Sequence, residues 1–270
     1  MARPLWFVEF LKRNFKRNKY LAKMTRLPII GKFLEKGFEG DNLTVLPKDE
    51  TVIQINESID KQDEFILPSK IVEYFVKKAK YHWIMNFCIC RDSSKCENYP
   101  SDLGCLFLGE AVLDINPHIG RLVSEQEALE HLRKCRELGL VHVIGKNKLD
   151  SVWLGVSDEN KLLTICNCCE CCCLARGVKY ATKRIANVYK KMPGVEVKVT
   201  NDCVGCGTCQ EVCIVDAIQL INYKAVINQI KCKGCTRCIT TCPRNAIKLE
   251  LKDKEFMEKT IQRVSNCVEI

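Results

Sequence analysis

Cys203-Val-Gly-Cys206-Gly-Thr-Cys209-Gln-Glu-Val-Cys213 is answered 29 residues later by Cys232-Lys-Gly-Cys235-Thr-Arg-Cys238-Ile-Thr-Thr-Cys242-Pro243, and the two stretches run on in step to Ala217-Ile218 and Ala246-Ile247. Each half reads C-x2-C-x2-C-x3-C, an internal duplication. Three thiolates at this spacing lie on one tight loop that can wrap three corners of an iron–sulfur cube, while the fourth projects away to the other cube. Ligation is therefore read as crossed: Cys203, Cys206, Cys209 and Cys242 for one [4Fe-4S] cluster, Cys232, Cys235, Cys238 and Cys213 for the second. Gly205, Gly207 and Gly234 allow backbone amides close to the inorganic sulfides. Zinc, the competing occupant, prefers two C-x2-C pairs separated by a longer loop, which is not this arrangement.

Residues 195–252 resemble the two-cluster bacterial ferredoxins, and the resemblance implies a compact βαββαβ fold with pseudo-twofold symmetry. One position departs from that pattern. Ile214 follows Cys213 where a proline is usual, a change that spares the ligands and bears on the loop geometry and potential of the adjoining cluster.

Upstream lies a second cysteine field: Cys88-Ile-Cys90-Arg91, then Cys96 and Cys105, then Ile165-Cys166-Asn-Cys168-Cys169-Glu-Cys171-Cys172-Cys173. Adjacent side chains of an extended segment point to opposite faces, so such a run offers ligands to two sites or to one large one. Crowded thiolates repel one another unless metal neutralises them, and the ten residues are read as metal ligands for one or two further iron–sulfur clusters. Cys135 falls within a helix stripe and reads as core, and Cys267 as a spare thiol. The combination of Cys88-Ile-Cys90-Arg91, Gly139-Leu140-Val141-His142, the Ile165–Cys173 run and the duplicated loops is similar, over about residues 80–252, to 4Fe-4S ferredoxin-type proteins of anaerobic archaea and bacteria. That resemblance implies a cysteine-rich domain wired to an electron-transfer module and names no substrate. His82, His118, His131 and His142 read mainly as structural, His142 being the first to test.

The fold class expected is α+β, with four parts: a basic amphipathic helix over 1–27, a mixed helix/hairpin cysteine-rich domain over 28–180, the dicluster domain over 195–252 and a C-terminal helix over 253–270. Over residues 4–24, Phe7, Phe10, Leu11, Phe15 and Leu21 fall on one side of a helical wheel and Lys12, Arg13, Lys16, Lys19 and Lys23 on the other. The face suits packing on its own domain, docking to an acidic partner, or a peripheral membrane surface. Asp41 to Pro68, with the run Thr51-Val52-Ile53-Gln54-Ile55, reads as strand and loop. A helix is expected from Ser69 with Ile71, Val72, Phe75, Val76 and Ala79 inward, and another from the capping box Ser124/Glu127 to Gly139. Leu140–Ile144 and Val152–Val156 then read as a hairpin, the outline of a winged helix.

Twenty cysteines clustered in a 270-residue chain argue against a secreted disulfide scaffold and for a reducing cytoplasm in an anaerobe. Of the net charge of +9, residues 1–26 supply eight basic side chains against one acid, so the rest of the chain is close to neutral and nucleic acid is disfavoured as a partner. No nucleophile elbow, phosphate loop or nicotinamide fingerprint is present, which disfavours hydrolysis, phosphoryl transfer and direct hydride transfer. The leading expectation is an electron-transfer protein or redox subunit that serves redox partner proteins. A stand-alone reductase with its active site in the upstream field is second, and an iron–sulfur regulator third.

Overall fold

Leu106, Phe107 and Leu108 are consecutive and all fully buried, which a strand achieves only when both of its faces are covered. That strand lies near the middle of a seven-stranded sheet in the computed structural model of the chain, which describes residues 2–15, 18–51 and 67–270. The strands are β1 (Asn42–Val45), β2 (His82–Met85), β3 (Leu106–Leu108), β4 (Gly120–Val123), β5 (Val141–Lys146), β6 (Leu163–Cys168) and β7 (Tyr189–Lys191), in the order β4-β2-β3-β6-β5-β1-β7. All neighbours are antiparallel except β1 and β7.

One face of this sheet, carrying Leu106, Leu108, Ile144 and Ile165, packs against the helices Ser69–Lys78 and Glu125–Glu137. The first turns Ile71, Val72, Phe75 and Val76 inward; the second is capped by the reciprocal Ser124/Glu127 hydrogen bonds. Period-2 alternation sends Trp83, Met85 and Phe107 to the opposite face, where Val8, Leu11 and Phe15 of the N-terminal segment pack on them.

The C-terminal part runs strand β8 (Val195–Val199), helix Thr208–Glu211, strands β9 (Ile218–Ile221) and β10 (Lys224–Ile227), helix Arg237–Thr241 and strand β11 (Ile247–Leu251). Strand β8 pairs antiparallel with β11 from Val195↔Leu251 to Val199↔Ile247, and β9 pairs with β10 across a turn. Val195, Val197 and Leu249 enter the same core as Phe75 and Leu132, so apolar packing is continuous from the large sheet into this part. The helix Phe256–Ser265 closes over it, touching the helix Ser69–Lys78, β1 and β5.

The class is α+β, and two local expectations are corrected. The hairpin after Gly139 does not form: Leu140–Ile144 leads into β5, but Lys148–Leu154 is a helix, stopped by Gly155 in the left-handed region, and Val156 follows in a loop. Trp153 and Asp150 on consecutive turns are joined by an indole N–H to carboxylate bond of 2.9 Å, so local hydrogen bonding overrides the strand pattern of the apolar run. The N-terminal segment is also not one wheel. The helix Leu5–Asn14 ends at Phe15 and a second helix spans Asn18–Met24; Val8 is buried, and Phe10 and Leu21 are exposed. The strand expected in Thr51–Ile55 falls almost wholly within residues 52–66, outside the described residues; Thr51 itself closes a helical turn on Lys48.

Gly145 sets how closely β5 and β1 approach. Its φ is +149°, and a Cβ there would lie 1.8 Å from the Asn42 carbonyl oxygen. Gly145→Ala is expected to cost about 2–4 kcal/mol, read as a lower denaturant midpoint with an unchanged slope.

Candidate iron–sulfur centres

The duplication seen in the cysteines extends to the backbone. Gly205 and Gly234 have φ of +68° and +67°, Gly207 and Thr236 have +85° and +58°, and Asp216 and Asn245 share +49°. Each pair is separated by the repeat length, so both loops trace the same path. At Gly205 a Cβ would meet the Tyr223 carbonyl oxygen at 2.3 Å, so no side chain fits between this loop and the β9–β10 turn. Equivalent amides also point at equivalent sulfurs: Ala217 N–H donates to Cys213 Sγ at 3.2 Å, and Ala246 N–H to Cys242 Sγ at 3.3 Å. Ala225 N–H reaches Cys203 Sγ and Gly234 N–H reaches Cys232 Sγ, both at 3.4 Å.

The structure brings Cys203, Cys206, Cys209 and Cys242 around one pocket, which opens to solvent at Cys206. It brings Cys213, Cys232, Cys235 and Cys238 together at a second, more buried position. Burial, and then the mutual proximity of these thiols, pushes Cys213, Cys232 and Cys238 up from their ordinary range. All twenty cysteines are free of disulfides. Four convergent thiols at each position, amides aimed at sulfur and no bulk at the loop glycines together make a donor set and cradle that fit a cube.

The two positions differ in their surroundings. Around the first, Cys206 is exposed, and Val204, Ile221 and Tyr223 present apolar surface beside it. Around the second, Thr236 and Arg237 are buried, where Gly207 and Thr208 stand in the first repeat. Lys48 N–H donates to Thr236 Oγ1 at 3.0 Å, and Arg237 Nη2 donates to the Cys168 carbonyl at 2.9 Å. Ile214 is buried against Cys173 and Ala175. The residue that breaks the proline pattern is thus the one packed on the upstream field.

In that field β6 sorts the side chains. Cys166 and Cys168 share a face with Val141 and Val143 and pack, as Cys235 does, on the apolar cluster around them, while Asn167 points to the other face. Six thiols gather here. Cys105 Sγ lies 3.6 Å from Cys166 Sγ. Cys88 bonds to Cys90, and Cys168 to both Cys166 and Cys173. Hydrogen bonds from Cys166 and Cys173, with Arg237 and Arg91 nearby, hold the Cys168 thiol well below its ordinary range, and the donors Cys166 and Cys173 are pushed up in turn. The other four, Cys96, Cys169, Cys171 and Cys172, form a separate group at the surface edge. Cys135 is fully buried beside Leu140 and Cys169, and Cys267 accepts from Asn42 Nδ2 at 3.2 Å.

Arg91 is fully buried, and its guanidinium spans three carbonyls: Nε donates to Pro100 at 2.8 Å, Nη1 to Asn167 at 2.7 Å and Nη2 to Leu103. It is both a tie between the Cys88–Cys105 segment and β6 and a fixed positive charge among the thiols. On the reverse face Asn167 Oδ1 accepts from His142 Nδ1 at 2.8 Å, and Asn167 Nδ2 donates to the Gly104 carbonyl at 3.0 Å. His131 Nε2 donates to the same carbonyl at 2.9 Å. His142 Nε2 has no hydrogen-bond partner among the described residues. His82 bonds to the Val76 carbonyl, and His118 lies at the surface as part of an Asn116-capped turn. Arg237 and Asn167 do not stand out in the sequence; the mismatch of Arg237 with Thr208 between the repeats is the available signal.

Residues 196–219 and 225–248 match the 4Fe-4S binding domain family, so this part of the chain is a tandem iron–sulfur module of ferredoxin type. Over 58 residues the chain is 38% identical to one component of the ion-translocating oxidoreductase complex of Methanosarcina acetivorans, covering 21% of this chain and 22% of that protein. The chain thus spans about a fifth of that relative's length. No solved structure matches the chain. Among the described residues no helix is long and apolar enough to cross a membrane.

Two outcomes follow from the buried charges. Arg91→Met leaves three carbonyls without their donor and the thiols without a cation, and is expected to cost about 3–5 kcal/mol in denaturant unfolding. His142 is held down from 6.5 to about 4 by burial and then by the charge of Arg136. The unfolded chain takes up this proton first, so stability is full above pH 6.5 and falls as pH drops toward about 4, by up to about 3 kcal/mol. His142→Gln should flatten that part of the stability–pH curve relative to the parent.

Proposed function

We propose that this chain is an iron–sulfur electron-transfer protein. In this reading Cys203, Cys206, Cys209 and Cys242 hold an outer [4Fe-4S] cluster, Cys213, Cys232, Cys235 and Cys238 hold an inner one, and the six-thiol chamber holds a further cluster that receives electrons. When bound, such clusters supply one-electron redox chemistry at low potential. The residues of the chain do the rest: they set distance, exclude water and choose the direction of transfer.

The observation that carries this reading is the junction at Arg237. Its guanidinium is buried between Cys235 on one side and Cys168 and Cys173 on the other, with a hydrogen bond into the backbone of β6. Ile214 seals the same junction. The inner position of the module is therefore in direct packing contact with the upstream thiols, and the outer position faces solvent. An electron acquired at the exposed Cys206 edge would have a short, dry route inward.

A redox partner protein is proposed to dock on the apolar rim of Val204, Leu220, Ile221 and Tyr223, a small patch suited to a transient encounter. Trp6, Phe10, Leu21, Ile29 and Phe33, exposed among basic side chains, make a second face for a partner protein or an anionic membrane surface. The kinship of the module with a component of an ion-translocating oxidoreductase complex supports a place beside other redox proteins.

The test is iron and acid-labile sulfide per chain after anaerobic purification, with EPR during stepwise reduction. More than about eight irons is expected, the excess being lost in a Cys90→Ser/Cys168→Ser variant. Cys238→Ser should leave the outer cluster reducible while the upstream signal no longer appears when a partner supplies the electrons. Full upstream reduction in that variant at the parental rate would refute the relay.

A further inference from the structure

We infer that Cys96, Cys169, Cys171 and Cys172 form a mononuclear tetrathiolate site for one tetrahedral divalent ion, zinc or iron, distinct from every cluster position in the chain. This inference rests on the upstream field being a metal field and divides that field into two kinds of site.

The spacing of the sulfurs decides the nuclearity. All four Sγ atoms lie within 4.8 Å of one another, and Cys96 and Cys171 are 3.4 Å apart. A single ion with metal–sulfur bonds of about 2.3 Å in tetrahedral array places its sulfurs about 3.8 Å apart. A cube bonds each thiolate to a different iron, so the metal–metal edge adds to every separation and the sulfurs stand further apart than this group allows. The rest of the chain is an internal comparison. Among the described residues this is the group of three or more Cys, His or acidic side chains whose ligand atoms all close to single-ion spacing; neither set of the ferredoxin module does so, and in the six-thiol chamber single pairs such as Cys105 and Cys166, 3.6 Å apart, come as close without a third closing on both.

The chain is arranged to present these four together. Lys95, left-handed at φ +50°, ends the helix Ile89–Ser94 and turns Cys96 back toward the 169–172 turn. That turn is pinned from both sides: Tyr99 donates to the Glu170 carboxylate at 2.7 Å, and Arg176 to the Glu170 carbonyl. Cys172 N–H donates to Cys169 Sγ at 3.3 Å, the kind of amide contact that stabilises sulfur bearing negative charge. Cys169 is buried and the other three are half-buried, which fits a closed site at an edge.

Its role follows from which segments it joins. Cys88 and Cys90 enter the six-thiol chamber from one end of a segment whose other end is Cys96; Cys168 and Cys173 enter it from either side of the 169–172 turn. One ion on the four outer sulfurs staples these two segments across the rim and keeps the inner six in register.

The experiment uses the full chain purified anaerobically. Metal analysis is expected to return about one zinc per chain, or one iron beyond the cluster iron, with four sulfurs at about 2.3 Å by X-ray absorption at that edge. The zinc and iron edges separate the two occupants. Cys96→Ser/Cys171→Ser should lose this ion and keep all cluster iron and sulfide. Should that variant fail to fold, cobalt taken up by the parent chain should give the intense thiolate-to-cobalt bands of a tetrahedral four-sulfur site. Loss of about four irons with sulfide in the variant would overturn the inference, as would a parent chain with no four-sulfur single-metal signal and no such cobalt spectrum. If instead the parent holds only about eight cluster irons while the single-ion signal is present, the chamber reading fails and this inference stands.

Discussion

Thiols gathered as closely as the ten of the upstream field stay together only where positive charge stands among them. Ionised sulfurs at these separations repel strongly in a dry interior, and protonated ones leave a network of weak donors and acceptors with little to hold it. The chain meets part of this demand with two buried guanidiniums: Arg91 from the first cysteine segment donates to three backbone carbonyls, and Arg237 from the second repeat donates through Nη2 to the Cys168 carbonyl while its Nε and Nη1 have no hydrogen-bond partner among the described residues, and both set their charge among the sulfurs. Metal ions supply the remainder in the proposed reading. The seven-stranded sheet, the pinned turn at Glu170 and the junction with the module all hold these charges in place.

The module is legible in the amino-acid sequence because its information is local. A tight loop with three thiols and a fourth at a set distance has few geometries, and the left-handed positions recur with the repeat. The large sheet is not legible in the same way. Strands β2, β3, β4 and β7 have only three or four residues each, too short for alternation to declare itself, and they are joined in an order that departs from sequence. The helix Lys148–Leu154 reads as a strand because Val152 and Trp153 carry strand propensity, while the deciding interactions run from Asp150 to Asn147, Trp153 and Thr164.

The division of the upstream cysteines lies between these extremes. Alternation along β6 can be anticipated and accounts for Cys166 and Cys168 on one face with Asn167 on the other. The parting of Cys169, Cys171 and Cys172 from Cys168 and Cys173 depends on a turn, on Tyr99 reaching Glu170 and on Cys96 arriving from a distant segment. None of those is encoded in spacing alone. Departures from internal symmetry are more informative than the symmetry itself: Thr236, Arg237 and Ile214 differ from their counterparts, and all three lie where the module meets the rest of the chain.

Burying one half of a duplicated module and leaving the other at the surface also apportions vulnerability. Small oxidants arriving from solvent encounter the Cys206 corner first, while the loop around Cys235 is shielded by Arg237, Ile214 and the sheet. In the proposed reading, chemical injury would then begin at the outer cluster and interrupt the relay before the interior is harmed, leaving a chain that needs only its outermost centre rebuilt.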